Sequence, residues 1–289
     1  MNKYSIFDAH CDTLCRLLDY NESLLCNDFN VDKSRMMQYD SYTQVFACFI
    51  SPDYYDAPMD RFKSLYRCFK AQDFTGIKPI LSLEGGEPVK SLEDVEFLYQ
   101  CGVKCIALTW NYSNKIAGAQ DNVSQGLTEF GKQVVKKMNE LGILVDVSHL
   151  NDKSFYDVAD ITSAPIIATH SNSRRLCMHN RNITDEMFNI IKSSGGCVGI
   201  NLYPLFVNGT TSCDISEVLK HINHFVSMDG INHIGLGCDF DGTDDILPDE
   251  IKGCQHLYRL ADALKENGYS ENDIEKIMHL NFERVFGGN

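Results

Sequence analysis

Residues 233 to 242 read His-Ile-Gly-Leu-Gly-Cys-Asp-Phe-Asp-Gly, an apolar run that stops at Asp239. Short apolar runs bounded by turn residues are typical of buried parallel strands. The same pattern recurs along the chain, and a residue of metal-ligand type stands where several of the runs stop. These residues are His10, Asp12, Glu84, His149 and His170. Functional side chains gathered at the C-terminal ends of strands indicate an α/β fold, a TIM-like (β/α)8 barrel of the metal-dependent hydrolase type.

Eight strands are predicted from these runs. They cover residues 4–11, 43–51, 78–84, 104–110, 143–149, 164–170, 196–203 and 233–239. The segments between them suit helices, and Gly126 to Gly142 carries one apolar stripe with Gly142 placed to end the helix. The last helix is expected to run to about Val285. Residues 12–42 contain too few apolar residues for a helix and are expected to form an irregular excursion over the active-site mouth.

Length and charge narrow the class of protein. A chain of 289 residues with 44% hydrophobic content is ordinary for one barrel, so residues 1–289 are expected to form a single domain. The net charge of −14 argues against nucleic acid as a partner. No apolar stretch approaches the roughly 20 residues that span a bilayer, so no membrane association is expected. The first strand begins near Tyr4 without a preceding signal segment, which favours a cytoplasmic location.

The twelve cysteines are predicted to be free thiols. They are scattered through the predicted strands and helices, and the closest spacings leave three residues between Cys11 and Cys15 and between Cys101 and Cys105. A zinc-thiolate site would favour Cys-x-x-Cys pairs. Disulfides and a structural cysteine cluster are therefore both disfavoured.

Five residues are candidate metal ligands. His10 and Asp12 lie two positions apart in a strand, which places both on one face about 7 Å apart. Glu84 ends a strand before two glycines and is suited to bridge two ions, although it could instead be an acid at a helix N-terminus. His149 and His170 end successive strands, which lie about 5 Å apart, so both can bind one ion.

Asp239 is not needed as a further ligand once those five are placed. Its position at the end of the eighth strand puts it over the same centre, where a carboxylate can take a proton from the attacking hydroxide and deliver it to the leaving amine. Asp241 could substitute geometrically, but the following Gly242 favours a turn at that position.

Several short segments carry a resemblance to the membrane dipeptidase family. They are Phe-Asp-Ala-His-Cys-Asp-Thr-Leu (7–14), Leu-Glu-Gly-Gly (83–86), Leu-Thr-Trp-Asn (108–111), Val-Asp-Val-Ser-His (145–149), Ala-Thr-His-Ser (168–171), Arg-Asn-Ile-Thr-Asp (181–185), Gly-Ile-Asn-Leu-Tyr (199–203) and Gly-Cys-Asp-Phe-Asp-Gly (237–242). In this order they cover nearly the whole chain. The resemblance implies a zinc-dependent dipeptidase that hydrolyses the peptide bond of dipeptides by a metal-activated bridging hydroxide.

The resemblance also implies a role for each site residue. Two Zn²⁺ ions per chain are expected, one held by His10 and Asp12, the other by His149 and His170, with Glu84 bridging both. Asp239 would be the proton shuttle. Arg181 would bind the free carboxylate of the dipeptide, with Tyr203 nearby. Relatives of this kind often dimerise, so a homodimer is a possible assembly.

One departure from the resemblance concerns Trp110. The mammalian enzymes have a histidine at this place, thought to help hold the tetrahedral intermediate, and Trp offers a single N–H donor. Asn111 or a zinc ion could take over that contact. Two alternatives therefore stay open beside the dipeptidase: a related amidohydrolase acting on another small amide or lactone, and a metal-binding protein whose catalysis is weakened by Trp110.

Overall fold

The computed structural model describes residues 2–287 and contains a closed barrel of eight parallel strands in the order β1 to β8. The strands are β1 Asn2–Cys11, β2 Tyr39–Phe49, β3 Lys78–Glu84, β4 Val103–Ala107, β5 Leu144–Asp146, β6 Ile166–Ala168, β7 Cys197–Ile200 and β8 Ile234–Leu236. Each predicted strand overlaps one of these, and the predicted (β/α)8 barrel is confirmed.

The later strands end earlier than the sequence predicted. β5 ends at Asp146 rather than at residue 149, and β8 ends at Leu236 rather than at residue 239. His149 and Asp239 have left-handed backbones, with φ of 71° and 60°, which an extended strand does not allow. These functional residues therefore lie in the loops just beyond the strands.

Twelve α-helices are described. They are α1 Thr13–Tyr20, α2 Lys33–Met36, α3 Pro58–Ala71, α4 Leu92–Gln100, α5 Glu129–Leu141, α6 Asp152–Ile161, α7 Asp185–Ser193, α8 Pro204–Val207, α9 Ile215–Ser227, α10 Tyr258–Glu266, α11 Glu271–Glu275 and α12 Asn281–Gly287, with 3₁₀ turns at Pro52–Tyr54 and Cys254–His256 and a π-helical segment at Lys276–Leu280. Thr128 caps the N-terminus of α5, and Gly142 ends it with a φ of 72°, so the helix predicted within Gly126 to Gly142 is present and its predicted end is right.

The prediction of an irregular excursion over residues 12–42 is wrong in part, because α1 and α2 lie there. α1 buries Leu14 and Leu17 and packs against β2 and α3. Two leucines three positions apart are enough to bury one side of a helix of two turns, so a low overall apolar content did not exclude it. At α2 the Asp32 side chain accepts a hydrogen bond from the N–H of Arg35 and caps the helix.

The barrel has an inner core separate from the layer between strands and helices. This inner core contains residues from six strands together with the C-terminal helix: Phe7, Ala9, Val45, Cys105, Leu144, Ile167, Cys197, Phe282 and Val285. Phe282 of α12 stacks on Phe7 with ring centroids 5.5 Å apart, and Phe286 lies 5.3 Å from the same ring. The last helix therefore closes the end of the barrel at which the strands begin.

Two further predictions concern the whole chain. All twelve cysteines are free, as predicted. Among residues 2–287, no helix has both the length and the apolar character needed to cross a bilayer.

Candidate active site

The residues predicted to carry function meet at the C-terminal ends of the strands. They surround a cavity of about 610 Å³. Its lining includes Asp12, Glu84, Trp110, Asn111, His149, Arg181, Tyr203 and Asp239. His10 and His170 are buried, and their rings lie 3.9 Å apart between centroids. The structure thus brings every predicted site residue to one place.

Glu84 lies between two groups of potential ligands. Its Oε2 is 3.3 Å from His10 Nε2, which is also 3.4 Å from Asp12 Oδ2. Its Oε1 is 2.7 Å from His149 Nε2 and 3.7 Å from His170 Nε2. Each group of three donor atoms fits within 4.8 Å, and Glu84 belongs to both groups. This is the geometry of a carboxylate that can bridge two ions.

The atoms of these groups suit a bound cation. His149 Nδ1 lies 2.9 Å from Asn111 Oδ1, and because an amide oxygen only accepts, the ring hydrogen belongs on Nδ1. The lone pair of Nε2 then faces the Arg181 Nη2 donor at 3.0 Å and also Glu84 Oε1 at 2.7 Å, and the second contact places one acceptor against another. Asp12 Oδ1 is buried without a hydrogen-bond partner among residues 2–287. Imidazole nitrogens and carboxylate oxygens in this number are a donor set that zinc accepts.

The local strand geometry explains how His10 and Asp12 meet. The pairing of β1 with β2 shifts register between Asp8 and Cys11, and such irregularities redirect side chains. Asp12 has left the strand and stands at the N-terminus of α1, with φ −98° and ψ 13°. The sequence had suggested that strand alternation alone brings the two side chains together. In the structure they converge through this turn. Cys11 is fully buried on the other side.

Burial governs the protonation of the two later histidines. Desolvation, together with the positive charges of Arg181 and His10, holds the pKa of His149 and of His170 well below the usual range. Both rings are therefore neutral at neutral pH. The neutral imidazole is the form that binds metal ions.

The pKa values of the two carboxylic acids at the centre are raised rather than lowered. Burial and the nearby charge of Asp12 raise the pKa of Glu84 to about 7. Burial also raises the pKa of Asp239 above its ordinary value, with a further contribution from Asp12. Burial opposes protonation of His10, but the charges of Glu84 and Asp12 raise its pKa well above the usual range. Several acidic groups thus share a site with little solvent to screen them.

Asp239 is held at the edge of this cluster. Its Oδ1 lies 3.8 Å from His10 Nε2, and its Oδ2 accepts a hydrogen bond of 2.9 Å from Asn201 Nδ2. Together with His10 and His170 it forms a third group of potential ligand atoms. Sequence reasoning did not single out Asn201, although it lies in the Gly-Ile-Asn-Leu-Tyr segment.

Asp241 lines the same cavity but lies outside the groups of potential ligand atoms. It accepts hydrogen bonds from Thr13 Oγ1 at 2.5 Å and from the N–H of Asn30 at 2.8 Å, and Arg16 Nη1 lies 3.4 Å away. Its φ of 66° is that of a turn residue. Asp241 therefore ties the loop after β8 to α1 and to the segment before α2, and the turn interpretation agrees with this geometry.

Arg181 is a buried cation beside the ligand groups and is only 5% exposed. Its Nη2 lies 3.0 Å from His149 Nε2, and its Nη1 has no hydrogen-bond partner among the described residues. Arg174, another arginine of the same loop segment, instead forms a bidentate pair with Asp152 at 2.7 and 2.8 Å. Arg181 thus has an unused donor beside the ligand cluster, whereas Arg174 does not.

Aromatic side chains form the walls of the cavity. The Trp110 ring lies 5.1 Å from Phe49 and 6.3 Å from the His149 ring, between centroids. Tyr203 stands at the start of α8 with its ring edge-on to Phe206 at 5.0 Å. Asn111 lines the cavity, yet its amide oxygen contacts His149, so it acts on a predicted ligand as well as bordering the substrate space.

Among residues 2–287, the only histidines in the groups of potential ligand atoms are His10, His149 and His170. Outside these groups lie the remaining six histidines of the sequence: His179, His221, His224, His233, His256 and His279. His179 accepts the N–H of Arg181 at Nδ1, so it helps to place the arginine. His221 is buried and accepts the N–H of Ser173 at Nδ1, with Nε2 2.7 Å from the carbonyl oxygen of Val207.

The closed barrel and the two donor groups that share Glu84 define the class of the protein as a (β/α)8 barrel whose C-terminal mouth carries clustered residues that could hold metal ions. A sequence profile of the membrane dipeptidase family, peptidase family M19, matches residues 53–288. The chain belongs to this family, whose members are metallopeptidases acting as dipeptidases.

Two relatives resemble this chain in sequence. An uncharacterized protein from the pqqA 5′ region of Klebsiella pneumoniae is 34% identical over 203 residues, covering 66% of this chain and 74% of the relative. An uncharacterized dipeptidase of Schizosaccharomyces pombe is 33% identical over 218 residues, covering 71% of this chain. The match spans 51% of the yeast protein, so only about half of that protein is represented.

Solved structures agree with the fold. A metallopeptidase called dipeptidase AC, of family M19, superposes with a TM-score of 0.87 at 25% identity, covering 99% of both chains. A metallopeptidase from Rhodobacter sphaeroides, bound to a phosphinate mimic of L-Ala-D-Ala, gives a TM-score of 0.85 at 24% identity with the same coverage. The second likeness concerns the fold alone.

Proposed function

We propose that the protein is a zinc-dependent dipeptidase that holds two Zn²⁺ ions per chain. His10 and Asp12 would hold one ion, His149 and His170 the other, and Glu84 would contact both. The observation that carries the proposal is the division of Glu84, whose two oxygens face two separate groups of donors. In a salt-bridge network each acceptor faces a donor. Here His149 Nε2 and Glu84 Oε1 are two acceptors that face each other, which a cation bound between the groups would explain.

The residues around these ligands suit hydrolysis. When bound, zinc polarises the scissile carbonyl and lowers the pKa of a water molecule to about 7. Asp239 would take the proton of the attacking water and pass it to the leaving amine. Burial raises its pKa, which favours protonation during the cycle, and Asn201 holds one of its oxygens so that the other faces the centre.

Arg181 supplies the contact that would select short substrates. Its free Nη1 and its planar guanidinium suit the α-carboxylate of a peptide. Because Nη2 lies 3.0 Å from His149 Nε2, a carboxylate held there is close to the ligand cluster. One residue spans about 3.8 Å between Cα atoms, so a carboxylate bound at Arg181 would put the last peptide bond of a short substrate beside the ligand cluster. Trp110 and Tyr203 would contact the dipeptide from the two aromatic walls.

The decisive experiment is turnover of a panel of L,L and L,D dipeptides, with N-blocked dipeptides and tripeptides as controls. Zinc content is measured on the same samples, and we expect about two zinc ions per chain, loss of activity with a chelator and its return with zinc. Absence of turnover on every dipeptide by the zinc-loaded protein would overturn the proposal. Efficient cleavage of tripeptides would contradict the spacing argument.

A matched pair of variants tests the arginine. Arg181→Lys removes the paired donors and should raise KM for dipeptides by about 10- to 100-fold, the loss expected for one charge-assisted contact of about 1.5–3 kcal/mol. Arg174→Lys changes an arginine of the same segment that pairs with Asp152 outside the cavity, and it should leave KM unchanged. Equal effects of the two changes would remove the special role of Arg181.

A further inference from the structure

A buried carboxylate lies beneath His170, outside the ligand groups. Asp146 is the last residue of β5 and is 3% exposed. Its Oδ1 accepts the backbone N–H groups of Ser148 at 2.9 Å and of Thr169 at 3.0 Å. Its Oδ2 lies 2.5 Å from the Thr169 hydroxyl oxygen. Backbone N–H groups can only donate, so Asp146 is held as an acceptor.

The Thr169 hydroxyl connects this carboxylate to the imidazole. Thr169 Oγ1 lies 2.8 Å from His170 Nδ1. A hydroxyl has one hydrogen, and when that hydrogen is donated to Asp146, the oxygen can only accept from the ring. The ring hydrogen of His170 must then reside on Nδ1. The lone pair of Nε2 is left to face His149 Nε2 at 3.0 Å and Glu84 Oε1 at 3.7 Å.

We propose that Asp146 and Thr169 are positioning residues that hold His170 in the tautomer and orientation required of a metal ligand. The inference rests on the proposed metal site. Hydrogen-bond partners of ligating histidines commonly set ring orientation and ligand basicity, and their loss typically lowers metal affinity about 10- to 100-fold. His149 is held differently, because its Nδ1 contacts the neutral amide of Asn111 rather than a carboxylate relay.

The backbone fixes Thr169 independently of its side chain. A Cβ at Gly199 of β7 would lie 2.0 Å from the Thr169 carbonyl oxygen, and one at Gly237, just after β8, would lie 1.8 Å from it. Both positions must therefore be glycine for the chain after β6 to pack as it does. Changing the Thr169 side chain alone should leave this packing in place.

Three threonine variants separate the hydroxyl from the packing. Thr169→Val removes the hydroxyl at nearly constant volume, and Thr169→Ser keeps it. Thr109→Val is the matched control, because Thr109 is also fully buried and its hydroxyl has no partner among residues 2–287. Zinc affinity is measured by competition with a chelator, and the Co²⁺-substituted proteins are compared by visible absorption.

We expect Thr169→Val to lower the affinity for one of the two zinc ions by about 10- to 100-fold and to alter the Co²⁺ spectrum. Thr169→Ser should bind zinc within about threefold of the unmodified protein, on the same scale of effects, and Thr109→Val should not differ from it. Unchanged affinity and spectrum in Thr169→Val would overturn the inference.

Asp146→Asn gives a second test that does not depend on the threonine. The amide that this substitution introduces keeps the oxygen that accepts the backbone N–H groups but offers N–H to the Thr169 hydroxyl, which reverses the relay and moves the ring hydrogen of His170 to Nε2. Nitrogen-15 NMR of the zinc-free protein reports the tautomer directly. The Nδ1–H form is expected in the unmodified protein, and finding the Nε2–H form there would contradict the inference even if every variant misfolded.

The outcomes also separate this inference from the proposed function. An unmodified protein that binds no zinc and cleaves no dipeptide would contradict the proposed function. An unmodified protein that binds two zinc ions and cleaves dipeptides, beside a Thr169→Val variant with the same zinc affinity, would contradict only the positioning role of Asp146 and Thr169.

Discussion

The two ends of the barrel are built from the same eight strands but have opposite chemistry. At the C-terminal end, Glu84 and Asp239 are buried among charged and imidazole groups. At the N-terminal end, Phe7, Phe282 and Phe286 pack together and close the barrel with apolar rings. Burying polar groups at the mouth costs free energy. Burying aromatic side chains at the closed end stabilises the fold, by about 1.5–3 kcal/mol for one phenylalanine.

The backbone conformations of the two ends also differ. His149 and Asp239 at the mouth have positive φ, a conformation that costs free energy for residues other than glycine. At the closed end, α12 is a regular helix that follows directly on the π-helical segment Lys276–Leu280. Stability and chemistry are therefore separable in this fold, and each of the following changes should affect mainly one end.

The largest effect is expected at the mouth, from Asp239→Asn. The amide cannot carry the proton, so kcat should fall by about 10²- to 10⁴-fold while two zinc ions stay bound. Asparagine tolerates the left-handed backbone, so the melting temperature should not change. The control is Asp229→Asn, which changes another left-handed aspartate, at φ 60°, before β8 rather than after it. Full activity in Asp239→Asn would remove its role as proton shuttle.

At the closed end, Phe282→Ala should lower the free energy of unfolding by about 3–5 kcal/mol, because it leaves a cavity in the inner core. Denaturant unfolding measures this loss. The kcat and zinc content of molecules that remain folded should be unchanged. Phe286→Ala, at a partly buried ring, should cost less than Phe282→Ala. A fall in kcat under conditions where the variant is fully folded would show that the ends are coupled.

Gly199→Ala acts between the two ends. The added Cβ would lie 2.0 Å from the Thr169 carbonyl oxygen, so the backbone that carries His170 must shift. We expect a loss of about 1–3 kcal/mol in the free energy of unfolding, the usual cost of overpacking, together with weaker zinc binding. Gly287→Ala, whose Cβ meets nothing within 4 Å, is the control. Unaltered zinc binding in Gly199→Ala would mean that the ligand loop tolerates the shift.

The smallest effect at the mouth is expected from Asn111→Ala. His149 would lose the acceptor for its Nδ1 hydrogen, and zinc affinity should fall by about tenfold. The free energy of unfolding should change little, because Asn111 is only partly buried. Chelator competition and denaturant unfolding on the same variant measure both quantities. A large stability loss without any change in zinc affinity would assign Asn111 to packing instead.

Much of the fold could be predicted because strand periodicity is local. The apolar runs before Glu84 and Asp239 indicate buried strands from a few consecutive residues. The helix α1 was missed because its stability is not local. It depends on packing against β2 and α3 rather than on its own composition.

The sequence by itself determined the barrel, the order of its strands and the residue types that gather near their C-terminal ends, because these follow from patterns within each segment. Only the tertiary structure decided which atoms face one another. The division of Glu84 between two donor groups, the choice of Arg181 over Arg174, and the relay from Asp146 to His170 join residues from different strands and loops. Such contacts depend on loop conformation and on close backbone packing, which no local pattern specifies.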